Sequence, residues 1–123
     1  MHVTFHQHGR IVLYPYGYTR EAIPADMTAD DHAMLVEMAS LSGYAVGQSS
    51  SGEIHVGNQV DWMYGMHRIM SFTIEMGDAF AMPDEAIPTE TARNMEAALY
   101  AIEQAGAVEG ADTPVLLPDT ATP

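Results

Sequence analysis

The sequence predicts an α/β domain that is one part of a larger sheet. Segments with strand character at residues 1–14 and 71–76 alternate with helical spacing at 28–43, 61–68 and 88–106. That order, β, α, short helix, β, α, marks the class. The strands are few, so a sheet built from them alone leaves long unpaired edges.

In residues 1–14, Val3 and Phe5 alternate with Thr4 and His6, and Ile11-Val12-Leu13 is continuously apolar, so the stretch reads as one strand. Pro15 and Gly17 end it, and residues 19–27, with Pro24, read as loop. Tyr14, Tyr16 and Tyr18 around them suggest a rigid turn with packed rings. Thr28-Ala-Asp-Asp31 resembles a capping box whose acids suit the positive end of a helix. Met34, Leu35, Met38 and Leu41 follow, and Gly43 is the stop. Residues 45–59 are rich in Ser, Gly and Asn and read as surface loop. Asp61-Trp62 opens a short helix as an N-cap acid and an aromatic core anchor. Ser71–Met76 is a strand with Ser71, Thr73 and Glu75 on one face and Phe72, Ile74 and Met76 on the other. Pro88 starts the last helix, where Met95, Ala98, Leu99, Ile102 and Ala105 form an apolar stripe and Arg93, Glu96 and Glu103 face water. Residues 109–123 lack periodicity and read as a tail or linker after a structured part at 1–108.

The 123 residues fit one domain, and 47% hydrophobic content is that of a globular chain. The formal charge is −13, the four basic residues are Arg10, Arg20, Arg68 and Arg93, and there is no lysine. Nucleic acid and anionic membranes call for basic stripes that this chain lacks. The acidity is compatible with a salt-adapted or secreted protein and equally with a plain soluble surface. No apolar run is long enough to span a membrane, and no signal-peptide pattern opens the chain. Without cysteine, disulfides, thiolate nucleophiles and Cys-ligated zinc are excluded. A metal here must be held by His, Asp or Glu.

Glu75 stands out because a carboxylate near the end of a mostly buried strand costs desolvation unless compensated. Catalytic bases have this profile, and so does an ordinary strand-end acid that pairs with an arginine or reaches solvent. His6 and His8 share a face of an extended chain. Two histidines alone do not make a zinc site, which takes three or four protein groups. His32, His55 and His67 are scattered.

Taken in order, "TFHQHGRIVLYPYGYT", "VDWMYGMHRIMSFTIEM" and "IPTETARNMEAALYAIE" resemble the second half of the zinc carboxypeptidases of the carboxypeptidase A and carboxypeptidase T type. The resemblance runs from about Met1 to about Ala105. It implies a mixed, mostly parallel β-sheet flanked by helices. It implies that residues 1–108 are the C-terminal portion of a catalytic domain, with Zn2+ held at strand ends. By it, His6 is a zinc ligand and Glu75 the catalytic base. Thr73 and Val60 line the pocket for the C-terminal side chain of a peptide or protein substrate. An apolar residue at Val60 implies preference for hydrophobic or aromatic C-terminal residues. The implied mechanism is zinc-assisted water attack, with Glu75 moving the proton. Parent enzymes of this type are secreted.

Three features depart from the family pattern. No His-x-x-Glu motif, which carries the family's other two zinc ligands, occurs, and none of the four arginines sits where the family clamps a substrate carboxylate. Met1 is therefore read as an internal position of a longer protein. Glu53 stands where the family has a mobile tyrosine, and an ionised carboxylate cannot donate a hydrogen bond. His8 replaces an aromatic, so Gln7 and His8 are read as substrate-side residues. A catalytically incomplete remnant or peptide-binding module is the alternative reading, with the missing N-terminal half or a second copy as partner.

Overall fold

A computed structural model describes residues 1–22 and 27–107. The expected loop around Pro24 and the expected tail at 109–123 lie outside the described residues.

The elements are β1 (His2–Gln7), β2 (Ile11–Tyr14), α1 (Ala29–Ser42), β3 (Ala45–Gln48), α2 (Gln59–His67), β4 (Ser71–Met76), a 3₁₀ turn at Asp84–Ala86 and α3 (Ile87–Ala107). The strands form one mixed sheet in the order β1-β4-β2-β3. β1 runs parallel to β4, β4 antiparallel to β2, and β2 parallel to β3. The expected α/β class is therefore met.

Residues 1–14 are two strands rather than one. The chain reverses at Gly9 (φ 154°) and Arg10 (φ 50°), and β1 and β2 then lie on opposite sides of β4. The apolar pattern continues across the turn, which hides it from a periodicity reading. Ala45–Gln48, expected as loop, is the edge strand β3. Its side chains carry little strand preference, and its place comes from pairing with β2, Ile11↔Ala45 through Tyr14↔Gln48. Gly47 lies close to Ile11, whose Cδ1 would be 2.8 Å from a Cβ at that position.

The ends of α1 follow local rules. Thr28 Oγ1 accepts from the Asp31 N–H, and Asp31 Oδ2 accepts from the Thr28 N–H at 3.0 Å, closing the capping box. Gly43, left-handed at φ 67°, ends the helix and donates to the carbonyls of Ala39 and Ser40. Phe72 and Ile74 turn one face of β4 into a core with Val12, Leu35, Met38, Ala97 and Ala101. The other face of β4 carries Thr73 and Glu75 into a cleft.

α3 does not bury the stripe expected of it. Met95, Leu99 and Ile102 are 51%, 52% and 69% exposed, while Glu90, Asn94, Ala97 and Ala101 are buried. Two alanines on the inner face let the helix approach the core closely. Ala98, Ile102 and Ala105 instead line an apolar cleft of about 270 Å³ with Met1, Val3 and Phe5. That cleft borders β1, whose outer edge has no partner strand among the described residues. Trp62 is likewise 54% exposed rather than a core anchor.

Candidate functional site

The parallel register of β1 and β4 sets His6 opposite Glu75, and the antiparallel register of β2 sets Ile11 against Glu75 from the other side. His6 Nδ1 lies 3.3 Å from Glu75 Oε2 and 2.7 Å from the Gln7 carbonyl oxygen. Two acceptors around Nδ1 require it to carry a proton, so in the neutral ring Nε2 keeps the free lone pair. The Glu75 side chain is 18% exposed and the His6 side chain 60%.

Both residues open into a cleft of about 510 Å³, which Thr4, Leu13, Val60 and Thr73 also line. Ser49, His55, Gly57, Asn58 and Gln59 form its remaining wall. Alternation along β1 and β4 puts Thr4, His6, Thr73 and Glu75 on this one face. α2 closes the cleft from the side: Gln59 Nε2 donates to Thr4 Oγ1 at 2.7 Å, and Val60 is buried.

The structure thus brings together His6, Glu75, Thr73 and Val60. Three other candidates lie apart from them. Gln7 belongs to a separate cleft with Met76 and Phe80, and the His8 ring packs on Phe80 at 4.3 Å between centroids. Glu53 is exposed and is not among the residues lining the cleft. Ser49 and His55 were not singled out for the cleft by the sequence, because a Ser/Gly-rich segment carries no periodicity that assigns a face.

Asp61 is not the N-cap of α2. Asn58 is, its side chain accepting from the Asp61 N–H at 2.8 Å. The Asp61 carboxylate instead reaches back to the tyrosine-rich turn and accepts from the Gly17 N–H at 2.9 and 3.0 Å and from the Tyr18 N–H at 3.2 Å. The turn packs as expected, with Tyr16 against Tyr18 and edge-on to Tyr64. Burial, with help from Asp31 and Tyr16, pushes the Tyr64 phenol above its usual range. Gly17 is confined, since a Cβ there would lie 2.4 Å from Asn58 Nδ2. Hydrogen bonds to a charged acceptor contribute about 1.5–3 kcal/mol. Asp61→Ala is expected to cost about that much in urea denaturation and to raise hydrogen exchange at the Gly17 and Tyr18 amides before other sites.

A family model described as "Zinc carboxypeptidase" matches residues 1–97. The chain belongs to the zinc carboxypeptidase family. It is 34% identical over 102 residues to a zinc carboxypeptidase of Saccharothrix mutabilis subsp. capreolus, covering 76% of this chain and 24% of that one. Carboxypeptidase A4 of Mus musculus is 34% identical over 97 residues, covering 71% of this chain and 23% of its own length. The chain therefore spans about a quarter of the curated relatives it matches. The fold agrees. The crystal structure of thrombin activatable fibrinolysis inhibitor superposes with a TM-score of 0.74 at 19% identity, covering 83% of this chain and 28% of that one. Carboxypeptidase A from Helicoverpa armigera gives 0.73 at 18%, covering 87% and 30%.

The family implies zinc, and the side chains of this chain alone do not fit it. Among the described residues no three His, Asp or Glu side chains gather as a metal site requires, whereas a catalytic zinc takes three protein ligands. His6 is a single donor.

Proposed function

We propose that this chain is the C-terminal portion of a zinc metallocarboxypeptidase that hydrolyses the C-terminal peptide bond of peptides or proteins. The observation that carries the reading is His6 beside Glu75 at 3.3 Å, at the mouth of a cleft walled by Val60, Leu13 and Thr73. In this reading His6 is one ligand to Zn2+ and the others come from the rest of the complete protein. Glu75 is the proton acceptor, and Val60 and Thr73 receive the C-terminal side chain. An apolar Val60 favours hydrophobic or aromatic C-terminal residues, since an uncharged pocket wall gives a cationic side chain no counter-charge. Gln7, His8 and Glu53 contact substrate only at its margins. An extracellular setting of the complete protein belongs to the same proposal, and the cysteine-free acidic composition is compatible with it.

The second reading is a catalytically incomplete remnant or peptide-binding module. Glu53 at the position where the family has a tyrosine supports it, because an ionised carboxylate cannot donate a hydrogen bond. Its partner, like that of the portion read as an enzyme, is the remainder of the domain or a second copy. The exposed row on α3 and the outer edge of β1, which has no partner strand among the described residues, support such a partner.

Zinc calorimetry and peptidase assays separate the readings. The chain alone is expected to show neither tight one-to-one zinc binding nor hydrolysis. Within a complete zinc carboxypeptidase domain it is expected to release C-terminal Phe or Leu, and Val60→Asp is expected to shift preference toward C-terminal Lys or Arg. An assembled protein that binds zinc without releasing any residue would establish the remnant reading.

A further inference from the structure

The strands bearing His6 and Glu75 end in two turns, and both turns are tied to one buried carboxylate. Glu90 sits in the first turn of α3 and is 7% exposed. Its Oε1 accepts from the Gly77 N–H at 3.3 Å, from the Tyr44 hydroxyl and from Asn94 Nδ2 at 3.4 Å. Its Oε2 faces Arg10 Nη2 at 3.5 Å. Arg10 also reaches Asp78 Oδ2 at 3.6 Å. The Gly9 N–H then donates to the Gly77 carbonyl at 2.8 Å. Gly77 is thus gripped through both its backbone polar groups. It lies two residues past Glu75, and Gly9 lies three residues past His6.

Backbone conformation makes this anchor necessary. Arg10 is held at φ 50° without being glycine, a conformation that L-residues avoid. Gly77 is held at φ 68°, where a Cβ would meet Met82 Sδ. A turn made of such residues is costly unless its surroundings over-determine it. The Glu90 carboxylate supplies that constraint from α3, on the far side of the sheet from the cleft. A carboxylate placed only to fill space is a poor choice there, because burying it costs several kcal/mol, on the order of what its hydrogen bonds return.

We propose that Glu90 is a positioning residue: by clamping the Gly77 turn and the Gly9-Arg10 turn to α3, it sets the spacing of His6 and Glu75 across the cleft. Tyr44 and Asn94 orient the carboxylate, with Asn94 Nδ2 2.9 Å from Tyr44 Oη. The clamp stands on the geometry alone. Only its consequence for catalysis rests on the function proposed above.

The test compares Glu90→Gln with Glu90→Ala by NMR on the full chain, with urea denaturation in parallel. Glu90→Ala is expected to raise amide exchange at Gly77 at least about tenfold. It is also expected to remove nuclear Overhauser contacts between the His6 and Glu75 side chains, while the methyl shifts of Val12 and Ile74 hold. Glu90→Gln keeps an acceptor for Gly77 and loses the charge toward Arg10, so it is expected to restore part of both signals. Unchanged His6–Glu75 contacts in Glu90→Ala would overturn the proposal, as would a change spread evenly through the core. Should Glu90→Ala not fold, Glu90→Gln decides: a shifted Gly77 amide with weakened His6–Glu75 contacts supports the clamp, and a spectrum unchanged at all three residues overturns it. In a complete, active protein Glu90→Gln is expected to lower kcat about tenfold with KM little moved, since misplacement acts on the reacting geometry. An inactive parent protein counts against the catalytic reading while the NMR outcome still judges Glu90.

Discussion

Phe72→Ala is expected to leave the chain unfolded or nearly so. Phe72 is wholly buried in β4, which lies between β1 and β2 in the sheet. Its ring belongs to the core cluster that includes Leu35, Met38, Val12 and Ile74. Truncating such a ring removes its transfer free energy and leaves a cavity that a sheet flanked by two packed helices closes only in part. The cost is about 3–5 kcal/mol. Whole domains hold only about 5–15 kcal/mol in reserve. This chain is expected to stand near the low end of that range, because the apolar row Met95, Leu99 and Ile102 is exposed. Far-UV circular dichroism through a urea series reads the result. A cooperative transition with a midpoint close to that of the parent chain would show that the core is not where the structure puts it.

What the sequence conveyed divides by the range of the interaction. The Thr28–Asp31 capping box and the Gly43 stop depend on residues within one turn, and both stand as expected. The alternation of β4 is equally local, and it correctly divides Phe72 and Ile74 from Thr73 and Glu75. β3 is not legible, because Ala45–Gln48 is a strand only by virtue of its pairing with β2. The reversal at Gly9-Arg10 is not legible either, since apolar residues continue on both sides of it. On α3 the periodicity finds the apolar row but cannot say whether its partner lies in this chain. The buried face is instead the small and polar one, Glu90, Asn94, Ala97 and Ala101. Asp61 is a case of right residue and wrong role. Its carboxylate serves a turn 43 and 44 residues earlier in the chain, which no local motif reports. Of the candidate site, His6, Val60, Thr73 and Glu75 meet in the cleft, and the order of the family-like motifs is what marked them. Glu53, placed by counting along a loop, does not meet them, since counting along a loop fixes no direction.

On the function proposed above, Glu75→Gln is expected to slow hydrolysis by about 10²–10⁴ while leaving the fold in place. The amide is nearly the same size as the carboxylate, so packing at the end of β4 is kept. It can still accept from the protonated Nδ1 of His6, which sits 3.3 Å away. What it loses is basicity. A carboxylate that is 18% exposed in a cleft can take a proton from an attacking water and pass it on, whereas an amide cannot. General-base contributions run to about 10²–10⁴ in rate, so kcat is expected to fall by about that factor. KM is expected to change little, because the side-chain pocket around Val60 and Thr73 is untouched. A variant retaining more than about a tenth of the parent kcat would remove Glu75 from proton transfer. A large rise in KM at constant kcat would make Glu75 a substrate-binding group instead. The comparison with Glu90→Gln is informative in the same assay. Both substitutions neutralise one buried or half-buried acid near the end of β4, but only Glu75 faces the cleft. If proton transfer and positioning are separate tasks, Glu75→Gln is the more severe by at least about tenfold, and combining them adds little, because a misplaced amide is no worse a base than a well-placed one.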